Sequence, residues 1–211
     1  MKRRIAICML AAVIAVAFIP ATAFAGSKLG KVTTYDQVIK SGKTVYCAAQ
    51  SGIYKVTVKK GKAKKVKTLR AYPYGADVAK MKKKGKYLYF NESDSGSEWT
   101  LKRMKTNGKK LKTYAYSTDG QIAYIIKGKK IYFELMEGYF SGDDWDDRMV
   151  VYSMKLTGKT KKQVNKTFQA NTKQSNAKGY KIMEVTSGNV VKCYLKTPKS
   201  TKLLGTCKLS E

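Results

Sequence analysis

Apolar and polar side chains alternate in short runs along most of this chain. In "KTVYCAA" (43–49), "KYLYFNE" (86–92) and "KKIYFEL" (129–135), β-branched and aromatic residues cluster between glycine- and lysine-rich breaks. A period of two places successive side chains on opposite faces of a pleated strand. Valine, isoleucine, tyrosine and phenylalanine at that period, punctuated by Gly and Asn, predict strands. No run of helical period competes after residue 30.

The strands recur as a unit. "GKTVYC" begins at Gly42, "GKYLYF" at Gly85 and "GKKIYF" at Gly128, so the repeat is 43 residues twice over. A weaker copy, "GYKIME", begins at Gly179; the added length falls mostly in the loop that holds "SGDDWDD" (141–147). A second strand follows each: "GIYKVTVKKG", "EWTLKRMKTNG", "RMVVYSMKLTG" and "NVVKCYLKT". These end at Lys60-Gly61, Asn107-Gly108, Thr157-Gly158 and Thr197-Pro198, pairs that suit tight turns. A third run follows, as in "KKVKTLRA" and "KLKTYAYS", and a short strand precedes each repeat: "QVIK", "DVAKMK", "QIAYII" and a degraded one near "KQSNA". The pattern predicts one all-β domain over 33–211, built of four antiparallel four-stranded units at about 33–70, 71–115, 116–170 and 171–211. A period in the low forties with four strands is that of a β-propeller blade. A β-sandwich or an open meander is the alternative.

Gly-x-x-Ile-Tyr-aromatic, followed after a turn by "IYKVTVKKG" or "VVYSMKLTG", resembles the YWTD-type repeats of low-density-lipoprotein-receptor β-propellers. The chain is most similar to secreted bacterial propeller-like domains of unknown function related to them. The resemblance implies blades arranged about an axis, and it covers nearly all of the chain after the first 32 residues. It departs in two respects. Cys47-Ala48, Phe90-Asn91 and Phe133-Glu134 stand where the Trp-Thr-Asp part would be, so no ligand role of that motif carries over. Those propellers usually have six blades, and four units are counted here.

Residues 1–25 read differently. Lys2, Arg3 and Arg4 precede an apolar run from Ile5 to Ile19, Pro20 breaks it, and Ala23-Phe24-Ala25 is a small-x-small cleavage site. That is the pattern of a secretory signal peptide. The run is shorter than the roughly 20 residues of a spanning helix, and no later stretch is long and apolar enough to span. The expectation is an exported chain, secreted or held at the cell surface or wall, with residues 26–32 as a linker.

Composition sharpens this picture. The formal net charge is +29, and it is +26 without the leader. After the leader, 37 lysines stand against Arg70, Arg103 and Arg148. Lysine is a hydrated point charge, whereas arginine is the planar fork that reads phosphates and bases bidentately. Such a surface suits bulk attraction to an anionic polymer and argues against nucleic acid as the partner. The chain has no histidine, which excludes Ser-His-Asp and Cys-His catalysis and the commonest metal ligand. No phosphate-cradling GxxxxGK[ST] occurs.

In an up-and-down meander successive turns emerge at alternate ends, and here they sort by charge. The turns at 40–43, 59–65, 82–86, 105–112, 127–130, 155–162, 177–181 and 196–202 carry 27 lysines and no acid. Those at 48–52, 71–77, 91–99, 116–121, 134–148, 168–176 and 184–188 hold 12 of the 14 acids and only Lys173 and Arg148 as bases. The expectation is a lysine end that binds an anionic wall polymer or glycan, with Lys59, Lys60, Lys62, Lys82, Lys83, Lys84, Lys109, Lys110, Lys129, Lys130, Lys161 and Lys162 as contacts. Lysine turns that merely keep sheet edges soluble are the plainer alternative.

The opposite end is acidic and aromatic, suited to a ligand or protein partner. Its candidates are Trp145 with Asp143, Asp144, Asp146 and Asp147, then Trp99 with Glu98 and Asp94, and Tyr72, Tyr74 and Tyr139. The four aspartates sit as adjacent pairs around a bulky tryptophan, without the alternating spacing and glycine bend of a calcium loop. No metal or other cofactor is expected. Carboxylate pairs can hydrolyse glycosidic bonds, so a carbohydrate-active enzyme is the alternative function, but a general acid needs burial to raise its pKa and these residues are expected on exposed tips. Cys47 aligns with Phe90 and Phe133 and is expected as a buried thiol. Cys193 and Cys207 are expected to face each other across the last hairpin, centred at residue 200, and to form a disulfide. Asn91-Glu92-Ser93 and Asn165-Lys166-Thr167 match the N-glycosylation pattern.

Overall fold

The computed structural model describes residues 27–33, 37–141, 144–171 and 177–209. It is all-β. The first sheet contains β2 (Val38–Ser41), β3 (Thr44–Ala49), β4 (Gly52–Lys59) and β5 (Lys62–Ala71), joined in that order as an antiparallel meander. The second contains β6 (Asp77–Lys84), β7 (Tyr87–Ser93), β8 (Trp99–Lys105) and β9 (Lys112–Ser117), and the third β10 (Tyr124–Lys127), β11 (Lys130–Ser141), β12 (Asp144–Lys155) and β13 (Lys162–Gln163). The fourth has three strands, β15 (Lys181–Ser187), β16 (Val190–Thr197) and β17 (Ser200–Lys208). Its expected first strand, near "KQSNA", falls mostly outside the described residues. Two further strands, β1 (Ser27–Thr33) and β14 (Lys166–Asn171), pair in parallel. Residues read as a linker thus fall in β1 from Ser27 onward.

The repeat explains why the inner strands bury both faces. In β3, Val45, Cys47 and Ala49 pack with Val191, Cys193 and Leu195 of the fourth sheet. Tyr46 and Ala48, on the opposite face, pack with Val78, Leu88 and Phe90 of the second. In β7 the parity repeats: Leu88 and Phe90 face the first sheet, while Tyr89 packs with Tyr124, Ile131 and Phe133 of the third. A strand pressed between two sheets needs apolar side chains at every position, which is why these runs lose the clean alternation of a one-sided strand. The sheets therefore pack face to face in the order fourth, first, second, third. Among the described residues no core cluster joins the third sheet to the fourth.

Hairpin turns lock neighbouring sheets. Gly108, between β8 and β9, has φ +87°, and a Cβ there would lie 2.7 Å from the Leu69 carbonyl oxygen on β5. Gly158, between β12 and β13, has φ +77° and sits against the Lys112 side chain of β9. Beside it the Leu156 carbonyl accepts hydrogen bonds from Arg103 and, at 2.6 Å, from the Tyr114 hydroxyl. In each case a tight third-to-fourth-strand turn seats itself on the outer strands of the preceding sheet.

Candidate functional site

Contacts between sheets tie the lysine-bearing turns together in two groups, the fourth sheet with the first and the second with the third. Lys199 N–H donates to the Gly61 carbonyl (3.2 Å), linking the fourth and first sheets, and the Thr197 hydroxyl donates to the same oxygen at 2.7 Å. Lys84 Nζ donates to the Gly128 carbonyl (2.8 Å) and Lys112 Nζ to the Thr157 carbonyl (2.6 Å), linking the second and third. Of the expected contacts, Lys59, Lys60, Lys62, Lys84, Lys109, Lys110, Lys129, Lys130, Lys161 and Lys162 are exposed. Lys82 and Lys83 are half-buried instead, because their strand, β6, runs beside β2 and β3. Burial lowers the Lys82 ammonium pKa, with the Lys84 charge adding to the effect. Lys161 Nζ lies 3.8 Å from the centroid of the Tyr152 ring.

The opposite turns also meet. Ala76 N–H donates to the Gln50 carbonyl (3.0 Å) and Lys208 N–H to the Pro73 carbonyl (2.8 Å). Gln50 N–H donates to Glu184 Oε1 (2.9 Å). These contacts shape an open cleft of about 340 Å³, whose wall includes Tyr74, Asp77, Asp94 and Leu209. Tyr74 is 71% exposed and Asp94 and Asp77 are exposed. Exposed Glu98 hydrogen-bonds the hydroxyl of exposed Tyr116 and raises that hydroxyl's pKa. Asp77 joins Tyr74 and Asp94 in the cleft wall.

Two candidates at this end are corrected. Tyr72 and Trp99 are buried, not presented to solvent. Trp99 folds back so that its indole N–H donates to the Gly96 carbonyl (3.2 Å), closing the 94–98 turn on itself. Tyr72 belongs to a buried charge cluster around Glu92. Its hydroxyl donates to Glu92 Oε2 (2.5 Å), Arg70 Nε donates to the same oxygen (2.6 Å), and Arg70 Nη2 and Lys102 Nζ reach Oε1 at 2.7 and 2.5 Å. Burial alone would raise the Glu92 pKa, but the bonds from Arg70, Lys102 and Tyr72 together hold it below the ordinary carboxylate value. Burial, and then the Glu92 charge, push the Tyr72 hydroxyl far up. The cluster joins β5 to β7 and β8. The sequence signal for it was weak: one acid, one arginine and one lysine set among many similar charges.

In β11 and β12 the backbone register pairs Tyr139 with Asp146, Phe140 with Trp145, and Ser141 with Asp144. Asp143, and the side chains of Tyr139, Asp144, Trp145 and Asp146, lie outside the described residues. Asp147 is exposed and pairs with Gly138. β11 and β12 each run twelve residues, longer than the strands of the other sheets.

Cys193 and Cys207 are not directly opposite each other, although their thiols lie close enough to interact. The β16–β17 register sets Cys193 opposite Gly205 and Cys207 opposite Val191. The turn is Pro198-Lys199, with Thr197 opposite Ser200, and a bulge at Cys193/Tyr194 shifts the pairing again. Both residues are free, buried thiols, as is Cys47, and all three pack in the core between the first and fourth sheets. Burial pushes the Cys207 thiol up to about 11 and raises those of Cys193 and Cys47. Asn91 of the first glycosylation pattern is fully buried, its amide pairing with both backbone groups of Ile122 at 3.0 and 3.2 Å, so that site is closed in the folded chain.

Among the described residues no three Cys, Asp or Glu side chains gather as a metal-holding group, and no helix is long and apolar enough to cross a membrane. No protein-family model matches the chain, and no curated protein matches it significantly.

Proposed function

We propose that this chain is an exported, non-catalytic binding module of propeller-like blades. Its lysine end holds it on an anionic polymer of the cell wall or surface, and its acidic, aromatic end receives a ligand or protein partner. The observation that supports the reading is the sorting of charge between the two sets of turns, with turns of neighbouring sheets tied to one another. Lysine turns are tied at Gly61/Lys199, Lys84/Gly128 and Lys112/Thr157, while the cleft wall with Tyr74, Asp77 and Asp94 belongs to the other end. A basic protein that is only solvated has no need to sort its charges.

Clustered lysines bind a polyanion mainly by releasing its counterions, so affinity falls steeply with salt. Retention of the protein on an immobilised anionic polysaccharide, measured against added salt, tests this directly. Strong retention at low salt that is lost by a few hundred millimolar is the expected result, as an order of magnitude. Failure to bind at low salt, or retention that ignores salt, overturns the reading.

A second reading, hydrolysis of a polysaccharide at the acidic end, draws on the cleft that brings Asp77 and Asp94 into one wall. Turnover of a neutral or acidic polysaccharide that disappears in Asp94→Asn would replace the binding reading with the enzymatic one.

A further inference from the structure

The second and third sheets carry the same turn. Gly108 N–H donates to the Lys105 carbonyl and Gly158 N–H to the Lys155 carbonyl; Lys105 N–H meets the Lys109 carbonyl as Lys155 N–H meets that of Lys159. The left-handed residue is Lys110 in one (φ 57°) and Thr160 in the other (φ 62°). The register is also shared. Tyr87 opposes Lys105 and Arg103 opposes Lys112, as Lys130 opposes Lys155 and Ser153 opposes Lys162. Positions can therefore be compared one by one.

In the second sheet this place is a seat for the neighbouring sheet. The Arg103 guanidinium lies over Tyr87 at 4.3 Å and Tyr114 at 5.8 Å, and the Leu156 carbonyl of the third sheet docks on Arg103 and Tyr114. In the third sheet the same seat is rebuilt. Tyr87 is replaced by Lys130, Arg103 by Ser153 and Lys110 by Thr160, while Lys105 and Lys112 correspond to Lys155 and Lys162. The result is a cavity of about 240 Å³ lined by Lys130, Ser153, Met154, Lys155, Thr160 and Lys162.

Lys130 stands directly opposite Lys155 on one side and Lys127 on the other. Like charges directly opposite in a sheet destabilise it, and the buried ion pairs of Arg70 and Lys102 with Glu92 lie elsewhere. A row of like charges around a hollow with two hydroxyls is a poor seat for another sheet. It is a good one for a multi-oxygen anion, which takes charge-assisted hydrogen bonds from several directions.

We infer that this hollow is a specific receptor for a tetrahedral oxyanion, a phosphate or sulfate group carried on a polymer, in which Lys130, Lys155 and Lys162 supply charge and Ser153 and Thr160 supply hydroxyl hydrogen bonds. It rests on the polyanion reading and locates that binding at one place on the lysine end.

The test compares two triple variants that remove the same charge. One is Lys130→Gln/Lys155→Gln/Lys162→Gln; the other is Lys59→Gln/Lys60→Gln/Lys62→Gln on the first sheet. Binding of short-chain polyphosphate, a sulfated polysaccharide and a carboxylate-only polymer, polygalacturonate, is measured at fixed low salt. The third-sheet variant should lose about tenfold or more in affinity for the phosphate and sulfate polymers, and the first-sheet variant about threefold or less. Polygalacturonate should bind the native chain more weakly than both. Without any polymer the third-sheet variant should melt higher than the native chain, since the opposed lysines no longer repel, and polyphosphate should raise its melting temperature less. Equal losses in the two variants, or a preference for the carboxylate polymer, overturn the receptor while leaving the general reading intact. A native chain that binds none of the three at low salt fails the general reading itself.

Discussion

Glu92 is the residue where charge and packing are most tightly joined. A carboxylate with 7% side-chain exposure holds Arg70, Lys102 and Tyr72 around it, and its pKa is depressed as a result. A depressed folded pKa means stability that is present above the ordinary value of 4.5 and lost as pH falls through the folded one. Urea unfolding should therefore show the native chain losing more stability between pH 5 and pH 2 than Glu92→Gln does. At pH 7 that variant should itself cost about 3 kcal/mol, because it strands Arg70 and Lys102 partly buried beside a neutral group. The cysteines give a second expectation at this scale. Cys47, Cys193 and Cys207 should resist a thiol reagent in the folded chain and all three should react in denaturant; a count of one would mean that Cys193 and Cys207 pair after all.

At the scale of elements, the hairpin turns decide how sheets lock together. Gly108 and Gly96 both adopt the left-handed conformation, at φ +87° and +77°. Alanine at Gly96 meets nothing within 4 Å, so it should cost only the conformational penalty of about 1 kcal/mol. Alanine at Gly108 meets the Leu69 backbone at 2.7 Å and must also push the second sheet off β5, so it should cost about 2 kcal/mol or more. Chemical denaturation of the two variants separates the turn's own strain from its role as an inter-sheet wedge. Equal costs would show that the seat yields freely. Within the inner strands, Phe133→Ala removes a fully buried ring from the cluster shared by the second and third sheets, and should cost about 3–5 kcal/mol.

For the whole molecule the two ends make separable predictions. Replacing Tyr74 by alanine changes an exposed aromatic on the acidic cleft and leaves the lysine end untouched. Salt-dependent retention on an anionic matrix should be unchanged in that variant. Neutralising Lys59, Lys60 and Lys62 should instead lower the salt needed for elution. Trp145→Ala belongs with Tyr74→Ala in this comparison. If the two aromatic variants shifted elution as much as the lysine variant does, retention would not depend on the lysine end.

The strand period, the 43-residue repeat, the four units and the sorting of turns were legible in the residues, because alternation and turn chemistry are local properties. Cys47 was legible as buried for the same reason, since it stands where Phe90 and Phe133 stand in the repeat. Other features depend on how sheets meet. Tyr72 and Trp99 looked like surface aromatics because loop position says nothing of what a neighbouring strand brings alongside. Cys193 and Cys207 end up as neighbouring free thiols two residues out of direct register, because a bulge and a two-residue turn move the register by amounts that no count along the chain reveals. The pairing of β1 with β14 joins segments far apart in sequence, and nothing local announces it. What the sequence determined by itself is the repeat and its two kinds of turn; what only the tertiary structure decided is which of those residues face water, a neighbouring sheet or a cavity, because burial is set by which side chains the packed sheets and folded turns bring alongside.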